Sequence, residues 1–201
     1  MTSTHGKFDA VIFDMDGTLI EPLLDFGAIR AELGVAAGEG ILEALDRRPE
    51  EQRRKDHARL MEVEVAAARR AKMLPGAEEI VAAVRSAGLK SALLTRNTTE
   101  ALKVVLKNHP VLQFDFVMSR EDGSAKPEPD GVLRACGVLG VSPARTCCVG
   151  DYRYDIMAAA AAGAASVLLT TLRDRPDFDE WAGLAEYRID RLDELKEILE
   201  L

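Results

Sequence analysis

The chain has 201 residues, 47% hydrophobic and 30% charged, with a formal net charge of −8. That suits a soluble protein with one sizeable core, and it argues against nucleic acid or an anionic membrane surface as main partners, since both select basic surfaces. No apolar run approaches the roughly 20 residues that span a bilayer, and the first ten residues hold no hydrophobic signal core, so a cytoplasmic location is expected.

In chain order, the first strand is expected at 9–13, a continuous apolar run ending on Asp14, Asp16 and Gly17. Residues 21–72 then hold no strand pattern and read as helices over 25–34, 38–47 and 50–72. Pro75 and Gly88 bracket the next helix, and a second strand at 90–94 leads to Thr95 and Arg96. Thr98 is placed to cap a helix that precedes a third strand at 114–118, and Lys126 lies in the connection beyond. A fourth strand at 145–149 runs into Asp151 and Asp155, and a fifth is expected at 166–169. The alanine-dense stretch 157–166 predicts a helix lying close on a sheet, and Leu192, Leu195, Ile198 and Leu199 give the tail an amphipathic pattern. Cys136, Cys147 and Cys148 have neither metal-site nor disulfide spacing and are read as buried thiols.

Continuous apolar strands alternating with helices predict an α/β fold with a Rossmann-like, doubly wound parallel sheet. The division expected is a core of 1–20 and 73–201, with 21–72 as a small all-helical cap inserted after the first strand. Ligands of such sheets bind at the carboxyl ends of the strands, which is where Asp14, Asp16, Thr95, Lys126, Asp151 and Asp155 all fall.

The chemistry of that set can be argued group by group. Carboxylates gathered in one crevice repel each other, and a hard divalent cation relieves the repulsion; an all-oxygen ligand set suits Mg²⁺. An ionised aspartate can attack phosphorus, while a hydroxyl and an ammonium such as Thr95 and Lys126 can hold phosphoryl oxygens. Gly17 permits the tight curvature that turns backbone N–H groups toward an anion.

The order DMDGT, then Thr95, then Lys126-Pro127, then Gly150-Asp151 with Asp155 resembles the haloacid dehalogenase-like hydrolase superfamily, and more narrowly its phosphoglycolate-phosphatase-like branch. The resemblance implies Asp14 as nucleophile and Asp16 as general acid and base. It implies Mg²⁺ on Asp14, the backbone carbonyl of Asp16, and Asp151, with support from Asp155. Thr95 and Lys126 would grip the phosphoryl group, helped by backbone N–H groups near Met15 and Arg96. It thereby implies a phosphatase acting on a small phosphate ester through an aspartyl-phosphate; a phosphomutase of the β-phosphoglucomutase kind and a non-catalytic binding protein are the alternatives. Three features depart from the branch: the helical interval is short, Tyr152 stands where serine is common, and Arg96 stands where asparagine is common. Arg96 either binds an anionic leaving group or pairs with a cap acid. The basic residues Arg47, Arg48, Arg53, Arg54, Lys55 and Arg59 either form a solvated face or bind a second anionic group, and His57 is expected at the surface.

Overall fold

The computed structural model describes residues 6–201. Six parallel strands form one sheet: β1 (Ala10–Phe13), β2 (Lys90–Leu94), β3 (Phe116–Met118), β4 (Thr146–Gly150), β5 (Ala165–Leu169) and β6 (Tyr187–Ile189). Their order across the sheet is β3-β2-β1-β4-β5-β6, with β1 hydrogen-bonded to β2 on one side and β4 on the other. Each strand side chain faces opposite to its neighbour. Val11, Phe13, Leu93, Cys147 and Val149 therefore point into one core layer, and Ile12, Ala92, Leu94 and Cys148 into the other. Burial on both faces explains why the central strands read as unbroken apolar runs.

The two outer strands are shorter. The third begins at Phe116 rather than 114, and β6 is a strand beyond the five expected. Each has three residues, with a middle residue, Val117 or Arg188, that is exposed. An edge strand packed less completely leaves a weaker apolar signal.

The core helices are α4 (Ala77–Ser86), α5 (Thr99–Asn108), α6 (Asp130–Leu139), α7 (Arg153–Ala162), α8 (Phe178–Ala182) and α9 (Leu195–Leu199). Thr98 caps α5 by accepting from the Ala101 N–H. Ala158 and Ala159 of α7 are fully buried, so small side chains do set that helix close on the sheet. All three cysteines are buried and unpaired by disulfide.

Between β1 and α4 run α1 (Phe26–Leu33), α2 (Ile41–Asp46) and α3 (Glu50–Ala68). Ile29, Leu33, Ile41, Leu45 and Leu60 close a separate small core among them. Helix α3 has 19 residues, a length of about 28 Å at 1.5 Å per residue, enough for Leu60 to join that small core while Ala68 reaches the main one. The incoming and outgoing segments run side by side: the Glu21 N–H donates to the Lys72 carbonyl and the Leu74 N–H to that of Leu19, at 2.8 and 2.9 Å.

Candidate active site

Strand β1 delivers Asp14 to the sheet's carboxyl edge, where its N–H still donates to the Val149 carbonyl at 2.8 Å. The chain then turns sharply, the Leu19 N–H donating to the Met15 carbonyl at 2.9 Å, through Gly17 at φ +79°. A side chain at Gly17 would be strained by that φ, and its Cβ would fall 2.0 Å from Asp151 Oδ2. The turn is thus folded directly against the carboxylate delivered by β4.

Lys126 ties the edge together. Its ammonium is buried and donates to Asp14 Oδ1 at 2.5 Å, Asp155 Oδ1 at 2.6 Å and the Leu94 carbonyl at 2.9 Å. Carboxylate oxygens of Asp14, Asp151 and Asp155 lie within 4.8 Å of one another. The Tyr152 N–H donates to Asp155 Oδ2 at 3.2 Å and the Thr18 hydroxyl to Asp14 Oδ2 at 3.4 Å. One lysine does not balance these three carboxylates, two of them buried and Asp14 nearly so. Burial pushes Asp14 up to about 6, with Lys126 opposing and Asp155 adding to the shift. Burial and the charges of Asp14 and Asp155 hold Asp151 well above the usual carboxylate range. Burial disfavours the Lys126 ammonium, yet the two aspartates outweigh it and hold the lysine above its ordinary value. Excess negative charge in a buried, all-oxygen cluster fits a hard divalent cation.

Asp16 stands apart. Its carboxylate is not in the three-residue cluster; Oδ2 accepts from the Asn97 amide at 2.8 Å. Burial first, then the charges of Asp14 and Glu64, push it up to about 8. The two aspartates of β1's end therefore address different neighbours.

The loop after β2 is the other wall. Thr95 is buried, and its hydroxyl oxygen accepts from the Asn97 N–H at 3.1 Å, which leaves the hydroxyl proton for another acceptor. Arg96 meets an acid of the helical segment: Nη2 donates to Glu43 Oε1 at 2.8 Å, and the guanidinium lies 4.4 Å from the centre of the Tyr154 ring. Of the two readings of Arg96, this conformation has the pairing with Glu43. A cleft of about 670 Å³ opens between the helical segment and the core, lined by Glu43, His57, Thr98, Arg120, Ala125 and Tyr154. His57 is partly exposed at the edge of that cleft, with Nε2 3.0 Å from Asp46 Oδ1.

The structure thus gathers Asp14, Asp151, Asp155 and Lys126, with Asp16 and Thr95 on the adjoining wall and Arg96 at the rim. Sequence reasoning missed Asn97 and Thr171. The Thr171 hydroxyl lies 3.2 Å from the Gly17 carbonyl and 3.4 Å from Asp151 Oδ2. It falls just beyond β5, so the strand-end rule applied to that strand would have found it. Asn97 carried only its nearness to Thr95.

Acids and a lysine meet at the carboxyl edge of a parallel α/β sheet, the place where such sheets bind their ligands. The model of the haloacid dehalogenase-like hydrolase family matches residues 8–163, and the chain belongs to that family of enzymes. A haloacid dehalogenase-like hydrolase domain-containing protein of Arabidopsis thaliana is 30% identical over 99% of this chain and 86% of its own length. The N-acetylmuramic acid 6-phosphate phosphatase of Pseudomonas aeruginosa is 28% identical, over 78% of this chain and 79% of that one. Among solved structures, a hydrolase from Pseudomonas syringae shares the fold with a TM-score of 0.78 at 23% identity, over 96% of this chain and 99% of that one. Among the described residues, no helix is long and apolar enough to cross a membrane.

Proposed function

We propose that this hydrolase is a Mg²⁺-dependent phosphatase acting on a small phosphorylated metabolite, phosphoglycolate-like or a sugar phosphate, in the cytoplasm. One observation carries the reading: Asp14 is held by Lys126 within a surplus of buried carboxylates, while Asp16 is held apart by Asn97. A pair of acids in different surroundings can take different roles.

Asp14, Asp151 and the backbone carbonyl of Asp16 would hold Mg²⁺, with Asp155 in support; when bound it supplies positive charge that keeps Asp14 ionised and offsets the charge of the phosphoryl group. In the first step an Asp14 oxygen bonds to phosphorus and the ester P–O bond breaks. Asp16 gives its proton to the departing oxygen, so the product leaves as an alcohol. In the second step water attacks the same phosphorus, Asp16 takes its proton, and the Asp14–phosphorus link breaks to release phosphate. Lys126 and Thr95 hold the phosphoryl oxygens and offset their charge.

Residues 21–72 serve as a cap, with its boundary where the two connecting segments pair. A leaving group would extend from the strand-end residues toward the cleft of about 670 Å³ beneath it, whose lining holds none of those residues itself. The test is a screen of phosphate monoesters with Mg²⁺ and with EDTA. Hydrolysis that EDTA abolishes and Mg²⁺ restores supports the reading; metal-independent hydrolysis, or none across the screen, overturns it.

A further inference from the structure

Asn97 has no assigned role, yet it is fixed more completely than an ordinary loop residue. It is 7% exposed. Its backbone N–H donates to Thr95 Oγ1 at 3.1 Å, and its carbonyl accepts from the Arg120 N–H at 3.1 Å. The residues on either side are also held. The Arg96 carbonyl accepts from Arg120 Nη1 at 2.8 Å, and the Thr98 N–H donates to Glu64 Oε2 at 3.1 Å. Arg120 and Glu64 are themselves a buried ion pair, formed between Glu64 Oε1 and Arg120 Nη1. One peptide segment is thus clamped from helix α3 and from the loop after β3, with the Asn97 side chain projecting from its centre onto Asp16.

The direction of that contact has a chemical consequence. The nitrogen of a side-chain amide donates and does not accept. Asn97 Nδ2 sits 2.8 Å from Asp16 Oδ2, so Oδ2 is occupied as an acceptor, and a proton on this carboxyl group belongs on Oδ1. We infer that Asn97 is a positioning residue for the acid–base step: it fixes the Asp16 carboxyl plane and assigns the transferable proton to Oδ1. The Glu64–Arg120 pair holds Asn97 in place for this. The role rests on the phosphatase reading, since it concerns the proton that Asp16 passes to the leaving oxygen. A proton carrier held in one plane transfers at a defined point, whereas one free to rotate spends most encounters misdirected.

The experiment compares two esters that differ in their need for the proton. An alkyl phosphate leaves as a strongly basic alkoxide unless protonated; p-nitrophenyl phosphate leaves as a weakly basic phenolate without help. The quantity is kcat/KM, which covers the steps up to loss of the alcohol. In Asn97→Ala, kcat/KM for the alkyl ester is expected to fall about 100-fold, within the range general acids contribute. The aryl ester should fall by at least tenfold less, so that the alkyl-to-aryl ratio drops. Asn97→Leu keeps the side chain's size without the donor and should lower the ratio in the same way, which covers a failure of the alanine variant to fold. A melting-temperature rise with Mg²⁺ and beryllium fluoride in both variants shows that the phosphoryl site still forms. Equal losses on the two esters, or no loss on either, overturn the positioning role. Wild-type protein that hydrolyses neither ester overturns the phosphatase reading instead, and this role falls with it.

Discussion

Charge is crowded both at the carboxyl edge of the sheet and along α3, but the two places handle it oppositely. On the helical segment the charges are matched and wet. Arg47 pairs with Glu39, Lys55 with Glu51, and Arg59 with both Glu32 and Glu62, at largely exposed positions. Arg48 and Asp56 pair at 2.5 Å at a less exposed spot. Four of the six basic residues of this stretch, Arg47, Arg48, Lys55 and Arg59, are thus compensated by acids of the same segment. At the sheet edge the charges are buried and unmatched, three carboxylates to one ammonium. A folded chain tolerates such an imbalance poorly unless something else enters the site. Density of charge alone does not mark a site; charge left unbalanced at positions shielded from water does.

Glu64 blurs the division, because it lies on the helical segment yet is buried against Arg120 of the core. It ties the one region to the other. Burial pushes its carboxyl up while Arg120 opposes.

Four measurements test this contrast. The largest effect belongs to Asp14→Asn, which removes the proposed nucleophile at the unbalanced edge. Steady-state assays should show phosphatase activity reduced by at least about a thousandfold; substantial residual turnover would place the nucleophile elsewhere. Next comes Glu64→Ala. Leaving Arg120 buried without its partner should cost about 3–5 kcal/mol in urea unfolding, far more than any exposed pair; a negligible change would mean that α3 is not locked to the core through this contact.

The third is a dependence on pH. Asp16 is raised from 3.8 to about 8 and Asp14 from 3.8 to about 6. A carboxyl group raised in the fold holds its proton more tightly there than in the unfolded chain. Its contribution is intact below 3.8 and is lost as pH climbs toward about 8. Metal-free wild-type protein should therefore lose stability between pH 5 and pH 8, and Asp16→Asn should flatten that loss. Urea midpoints at the two values decide it, with parallel slopes counting against the burial of Asp16. The smallest effect is that of Arg59→Ala, whose partners are exposed; its urea midpoint should match the wild type's. A clear drop would show that the helical face is less passive than its pairing suggests.

Much of this arrangement was legible beforehand because it rests on short-range pattern. Val11 to Phe13 had to be a doubly covered strand, and the groups just past each strand had to share one edge. The divergence of Asp14 and Asp16 could be expected from the break at Gly17. What the pattern did not reveal depends on contacts distant in sequence. Asn97 reaches Asp16 across 81 positions and Glu64 reaches Thr98 across 34. The strand β6 has only three residues and an exposed centre, too little for a periodic signal.

The sequence by itself determined the parallel sheet, the order of its acids and the family of the chain, because backbone periodicity and strand-end placement are local properties that burial imposes on residue choice. Three-dimensional packing settles that Lys126 bridges Asp14 and Asp155, that Arg96 meets Glu43 and that Asn97 holds Asp16. Those outcomes depend on which side chains the crossovers bring within about 3 Å of each other, the range at which hydrogen bonds and buried charges take hold.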